Sequence, residues 1–158
     1  MRTCATTRHG HETASSQHPA FQVTKPGFLY LVSLSEQDAL LKELQRGQAP
    51  PDFQAKLDRL STGDLIQRYV AKHATDFINL LLAQQHALFP KLAPADRERL
   101  LRVLAYVRKD DDAVPDYRPD GLVDDQQEVH SAVLELAPLI RTFKAWHLRH
   151  QVPALWAN

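Results

Sequence analysis

Carboxylates are the reactive groups that this sequence crowds most tightly. Residues 109–125 hold seven aspartates against one lysine and one arginine. Clustered carboxylate oxygens suit hard cations such as Mg²⁺ or Ca²⁺. Asp112, Asp116, Asp120 and Asp124 are the candidate ligands, and a divalent ion among them would support hydrolytic or phosphoryl-transfer chemistry. The EF-hand pattern does not fit, however. Counted from Asp116, the fifth and sixth places are Asp120 and Gly121, but the third is Arg118 and the twelfth is Gln127, where that loop needs a bidentate glutamate.

The same residues also make sense as a stiff turn that starts a helix. Pro115 and Pro119 restrict the chain and reduce the entropy lost on ordering. Gly121 supplies a conformation that other residues resist. Asp116 can bond nearby backbone N–H groups, and Asp120 is a plausible cap. Asp124 and Asp125 fall in the first turn of an apolar helical pattern, where free N–H groups and the helix dipole favour negative charge. The turn is the favoured reading. It leaves the protein without a cofactor, with Mg²⁺ or Ca²⁺ as the alternative.

A second constellation is basic. Arg141, Lys144, His147, Arg149 and His150 close the last helical pattern with no acid among them. His147 and His150 could share a metal, but no third ligand is evident and His130 lies too far along the same helix. Cations near a helix C-terminus are favourable in any case. The functional reading is a docking patch for an acidic partner, such as the aspartate stretch of a second copy. His73 and His86 read as residues on or near a packed face, and His73 with Asp76 does not read as a proton relay. His9, His11 and His18 lie in a segment without periodicity and read as a solvated tail. Glycine-rich phosphate loops, Gly-x-Ser-x-Gly and His-Glu-x-x-His are all absent from the sequence.

Composition narrows the classes further. A length of 158 residues suits one domain with a real core. Basic and acidic side chains balance at 19 each, so the overall charge gives no case for nucleic acid or an anionic membrane, and weak self-repulsion eases self-association. Cys4 is the only cysteine, which excludes an intrachain disulfide and a thiolate zinc cluster. No secretory signal or spanning helix is expected, and a cytoplasmic location is the default.

Five helices must position these groups. Residues 1–27 read as a flexible arm and 28–158 as a helical domain, with "FLYLVSL" (28–34) extended over helices. The first helix is expected to start at a Ser35 cap with Asp38 and to end at Gly47, with Leu40, Leu41 and Leu44 inward. Pro50 and Pro51 open the second, which buries Phe53, Leu57 and Leu60. Ser61 with Asp64 starts the third, about 62–89, stopped by Pro90 and carrying Ile66 to Leu88 at helical spacing. The fourth spans about 94–108. The last, about 123–149, has Pro138 inside its pattern and should kink or split near 134–138. Trp156 is expected to fold back. The sum is an all-α domain, a compact bundle.

The stretch "AYVRKDDDAVPDYRPDGLVDD" (105–125) resembles the signature of the YkvA-like family, also called DUF1232. Asp112, Ala113, Val114, Pro115, Asp116, Tyr117, Pro119, Gly121, Asp124 and Asp125 match it in order, with Arg118 at a usually apolar place and one residue fewer between Pro119 and Gly121. The resemblance covers about residues 100–140. It implies a small helical domain in which the aspartates and prolines form a helix-turn-helix corner, and it brings no chemistry with it. Together these readings point to a non-enzymatic helical domain that binds a protein partner or itself. A divalent-metal hydrolase or phosphoryl-transfer enzyme is the alternative. Peripheral membrane contact through "FLYLVSL" is a third, weaker idea.

Overall fold

In the computed structural model, residues 33–46, 50–90, 92–109 and 121–150 are described. Six helices account for them: α1 (Leu34–Leu44), α2 (Pro51–Ser61), α3 (Leu65–Gln85), α4 (Pro94–Arg108), α5 (Val123–Glu135) and α6 (Ala137–His150). The all-α expectation holds, with six helices rather than five. The added helix comes from the last pattern, which splits at Leu136. Leu136 leaves helical geometry (φ −96°, ψ 12°), and Ala137 and Pro138 then open α6. Proline fits that first turn because its missing N–H would have no intrahelical acceptor. The chain stays bonded across the break, since the Leu136 N–H reaches the Ala132 carbonyl at 2.9 Å and the Ile140 N–H reaches that of Leu136 at 2.9 Å.

Helix starts follow side-chain chemistry more closely than apolar spacing alone shows. Ser33, not Ser35, caps α1. The Glu36 N–H donates to Ser33 Oγ, and Glu36 Oε2 accepts from the Ser33 N–H at 2.7 Å, a reciprocal capping box. Leu34 of the "FLYLVSL" run therefore belongs to a helix, and residues 28–32 lie outside the described ones. Asp64 caps α3 in the same way with Gln67, while Ser61 belongs to α2 and donates to the Asp58 carbonyl. Gly63 makes room for this cap, because a Cβ there would fall 1.5 Å from Gln67 Oε1. Proline at N1 opens α2 and α4 as expected. The N-cap of α5 is Leu122, without a side-chain cap bond. Asp120, the expected cap, lies outside the described residues.

Helix α3 stops four residues short of the expected end. Ala87 adopts a left-handed conformation (φ 55°). The Leu88 N–H returns to the Ala83 carbonyl at 2.9 Å and the Ala87 N–H to that of Gln84 at 3.1 Å. This is a Schellman stop built on alanine where glycine is usual. It turns Leu88 outward, leaving it 46% exposed, and turns Phe89 inward. Ala87→Gly is expected to stabilise the fold by about 0.5–1 kcal/mol, the left-handed strain relieved less the entropy glycine adds to the unfolded chain. Chemical denaturation checks it.

Helices α3 and α4 form the centre. α3 packs against α2, α4 and α5, and α4 packs against α1, α2 and α5 as well. Their apolar faces meet in one set of buried side chains to which all six helices contribute, among them Leu40, Phe53, Phe77, Leu104, Val129 and Phe143. α6 is the least engaged helix. It buries only Ile140 and Phe143, and it packs chiefly on α5, with its Phe143 and Trp146 rings edge-on to Phe89. Among the described residues, no helix is long and apolar enough to cross a membrane.

Candidate functional site

Two regions hold the residues singled out above: the N-terminus of α5 and the outer face of α6. At the first, Asp124 and Asp125 occupy the opening turn, as their charge favours. Asp125 is fully buried. Its Oδ2 lies 3.8 Å from Lys56 Nζ, and the Lys56 side chain, from α2, is itself only 3% exposed. Lys56 Nζ also donates to the Lys109 carbonyl at 2.6 Å, at the point where the chain leaves α4. One ammonium thus ties α2 to both flanks of the aspartate-rich stretch. Asp124 accepts from the Tyr106 hydroxyl at 2.9 Å, joining α5 to the end of α4. Its other oxygen is buried without a hydrogen-bond partner among the described residues. Gly121 is a buried turn residue. Asp112, Pro115, Asp116, Pro119 and Asp120 lie outside the described residues.

The carboxylates further along α5 serve packing too. Arg99 of α4 donates to Glu128 and, through Nε at 2.6 Å, to Glu135, which also accepts from Ser131. Burial opposes the charge on Arg99, but the two carboxylates outweigh it and hold the guanidinium above its ordinary value. At the other end of α4, Arg108 clamps Asp52 (2.8 Å) and Glu43 (3.1 Å), and Lys109 reaches Glu36 (3.0 Å). The bond from Arg108 pulls the Asp52 carboxyl below its usual range. Asp52 with Arg108 and Glu36 with Lys109 line a cleft of about 250 Å³ between α1, α2 and α4, so these charges already satisfy one another. Among the described residues, no three His, Cys, Asp or Glu side chains converge as a metal site.

Helix α6 presents the basic residues to solvent. Arg141, Lys144, Arg149 and His150 are exposed and His147 is half-buried. His147 and His150 are spent locally, the first against the Phe143 ring and the second bonded to the Trp146 carbonyl at 2.8 Å. Lys144 departs from the expectation of an unpaired patch, because its Nζ lies 3.4 Å from Asp76 Oδ2 on α3. Arg141 and Arg149 have no carboxylate partner among the described residues. Between them Leu148 is 77% exposed, and Leu134, at the end of α5, is 64% exposed.

Asp76 leads to a group that sequence reasoning undervalued. Its Oδ2 accepts from Lys72 Nζ at 3.1 Å and faces His73 Nδ1 at 3.9 Å, too far for a hydrogen bond. That nitrogen is buried, with no hydrogen-bond partner among the described residues. The Tyr69 ring lies 4.4 Å from the His73 ring, and the Tyr69 hydroxyl is hydrogen-bonded to His130 Nδ1 of α5 at 3.0 Å. Burial, then Lys72, Lys144 and His130, hold His73 below its ordinary value against the pull of Asp76. His130 could not be joined to this group by sequence spacing, because it comes from another helix. His86 caps α3 and is exposed, not packed as expected. Comparison with family models, with curated proteins and with solved structures finds no match to this chain.

Proposed function

We propose that this chain is a non-enzymatic helical interaction domain, a single bundle that associates with a second copy of itself through α6. One observation carries the reading: a fourteen-residue helix with three permanent cations and no acid shows Arg141, Arg149 and Leu148 to solvent. The chain is neutral overall, so the matching acid lies elsewhere in it, and the five aspartates of 110–120 are its densest source besides the two braced at the start of α5. Each copy then offers a surface complementary to the next. The carboxylates at the start of α5 serve as braces in this reading. The YkvA-like resemblance is compatible with it, since Tyr106, Asp124 and Asp125 of the resembling stretch are all joined into packing. A cytoplasmic setting is part of the same proposal.

Light scattering across a dilution series tests it. The mass should exceed 17.9 kDa at high concentration. It should fall toward that value as salt is raised, because the pairing is between exposed charges. Arg141→Glu with Arg149→Glu should give a monomer with unchanged helicity. A strict monomer at every concentration and at low salt would count against the proposal. The alternative, a divalent-metal hydrolase or phosphoryl-transfer enzyme, has one observation in its favour, a buried Asp124 oxygen with no hydrogen-bond partner among the described residues. Calorimetry with Mg²⁺, Ca²⁺ and Mn²⁺ separates the two, and binding heat that disappears in Asp124→Asn would favour the enzyme.

A further inference from the structure

We propose that the Asp76 carboxylate, shared by Lys72, Lys144 and the buried His73, is an acid-operated latch that holds α6 against α3 at neutral pH and releases it when His73 takes up a proton. The inference concerns how α6 is held, and it stands whether or not α6 binds a second copy.

Geometry carries it. α6 buries only Ile140 and Phe143, so its attachment is thin and a single cross-helix ion pair matters more than it would on α3 or α4. Lys144 Nζ to Asp76 Oδ2 is that pair. The same oxygen takes Lys72 from one side and faces His73 Nδ1 from another, so three groups compete for one acceptor. Among the described residues, the titratable groups around His73 are Tyr69, Lys72 and Asp76 on α3, His130 on α5 and Lys144 on α6, and Asp76 is the only carboxylate of these.

A proton on His73 Nδ1 would place an imidazolium in this space with two ammonium groups and a second histidine. The favourable response is for Asp76 to close on the imidazolium and for one ammonium to leave. Lys72 sits four residues from Asp76 on the same helix and cannot go far. Lys144 is half exposed and belongs to the weakly held helix, so it moves and takes α6 with it. Proton uptake and release of α6 are then one linked equilibrium.

The sign follows from the depressed proton affinity of His73. A histidine kept neutral by the fold adds stability above its ordinary value of 6.5, and that contribution is lost as pH falls through the lowered folded value. Removing Lys144 removes one of the cations that keep His73 neutral, so His73 must then titrate at higher pH.

Two measurements on the full chain test this. In the first, the His73 ring is titrated by NMR in the wild type and in Lys144→Gln, and the midpoint is expected to rise in the variant. In the second, amide hydrogen exchange in α6 is compared between about pH 7.5 and about pH 5.5 after correction for intrinsic rates. Wild-type α6 is expected to lose about tenfold in protection relative to α3, the change that one pH unit of linked proton uptake produces. His73→Gln should abolish that loss, while His150→Gln should keep it. An unchanged His73 midpoint in Lys144→Gln overturns the latch, as does acid loosening of α6 that persists in His73→Gln. The NMR arm needs no His73 variant to fold, and neither arm depends on self-association.

Discussion

Asp125→Ala is expected to lower the unfolding free energy by about 3–5 kcal/mol, the usual cost of removing one member of a buried ion pair. Lys56 would keep its bond to the Lys109 carbonyl but lose the Asp125 carboxylate, in a place where its side chain is 3% exposed. Lys56→Met should cost a comparable amount for the mirror reason, since Asp125 is fully buried. The double variant Lys56→Met with Asp125→Leu should recover much of the loss, because apolar replacements remove both desolvation penalties together. Guanidinium denaturation of the four proteins gives the coupling. Two single variants that each cost less than about 1 kcal/mol, as for an exposed pair, would show that the charges are not desolvated in solution.

Phe77→Ala is expected to cost about 3–5 kcal/mol. Phe77 is fully buried in the middle of α3, the helix that α2, α4 and α5 all pack against, so a void there has neighbours on several sides and little room to collapse. Phe77→Leu should cost much less, because it keeps most of the volume. The ring also lies 6.4 Å from that of His73. Phe77→Ala should therefore admit water to the histidine and raise its titration midpoint, a second signal read from the same sample by NMR. A loss below about 1 kcal/mol would mean that the core repacks around α3 more freely than close packing allows.

Much of this architecture could be read from apolar spacing. The inward residues of α2 (Phe53, Leu57, Leu60) and of α4 (Leu100, Leu101, Val103, Leu104, Val107) are all buried as the periodicity predicts, and α4 keeps its expected limits. Boundaries were less legible where the deciding group was a side chain bonding backbone. Ser33 with Glu36 is the capping box of α1, but the apolar "FLYLVSL" run overlaps the pair and masks it as a helix start. The end of α3 was hidden for another reason. Apolar residues continue to Phe89, and alanine at Ala87 gives no hint that it takes a left-handed turn.

The candidate sites divide in the same way. The basic residues of α6 were visible as a run and their exposure followed from Ile140 and Phe143 facing in. What spacing could not supply was the partner in space. Lys144 meets Asp76 across sixty-eight positions of sequence, and Tyr69 meets His130 across sixty-one. The apolar pattern and their charge place Asp124 and Asp125 at a helix start. Their second role, holding Tyr106 and Lys56, depends on how α2, α4 and α5 converge.

The break at Leu136 has a consequence for how copies can combine. If α5 and α6 could straighten into one rod, α6 would leave its own core and dock on a neighbour's, the common route to exchanged, interlocked dimers. Pro138 works against that rod, because in a continuous helix its ring would meet the Leu134 carbonyl and that carbonyl would lose its donor. Pro138→Ala should accordingly open the way to strand-free helix exchange, visible as a slowly interconverting dimer that persists in high salt.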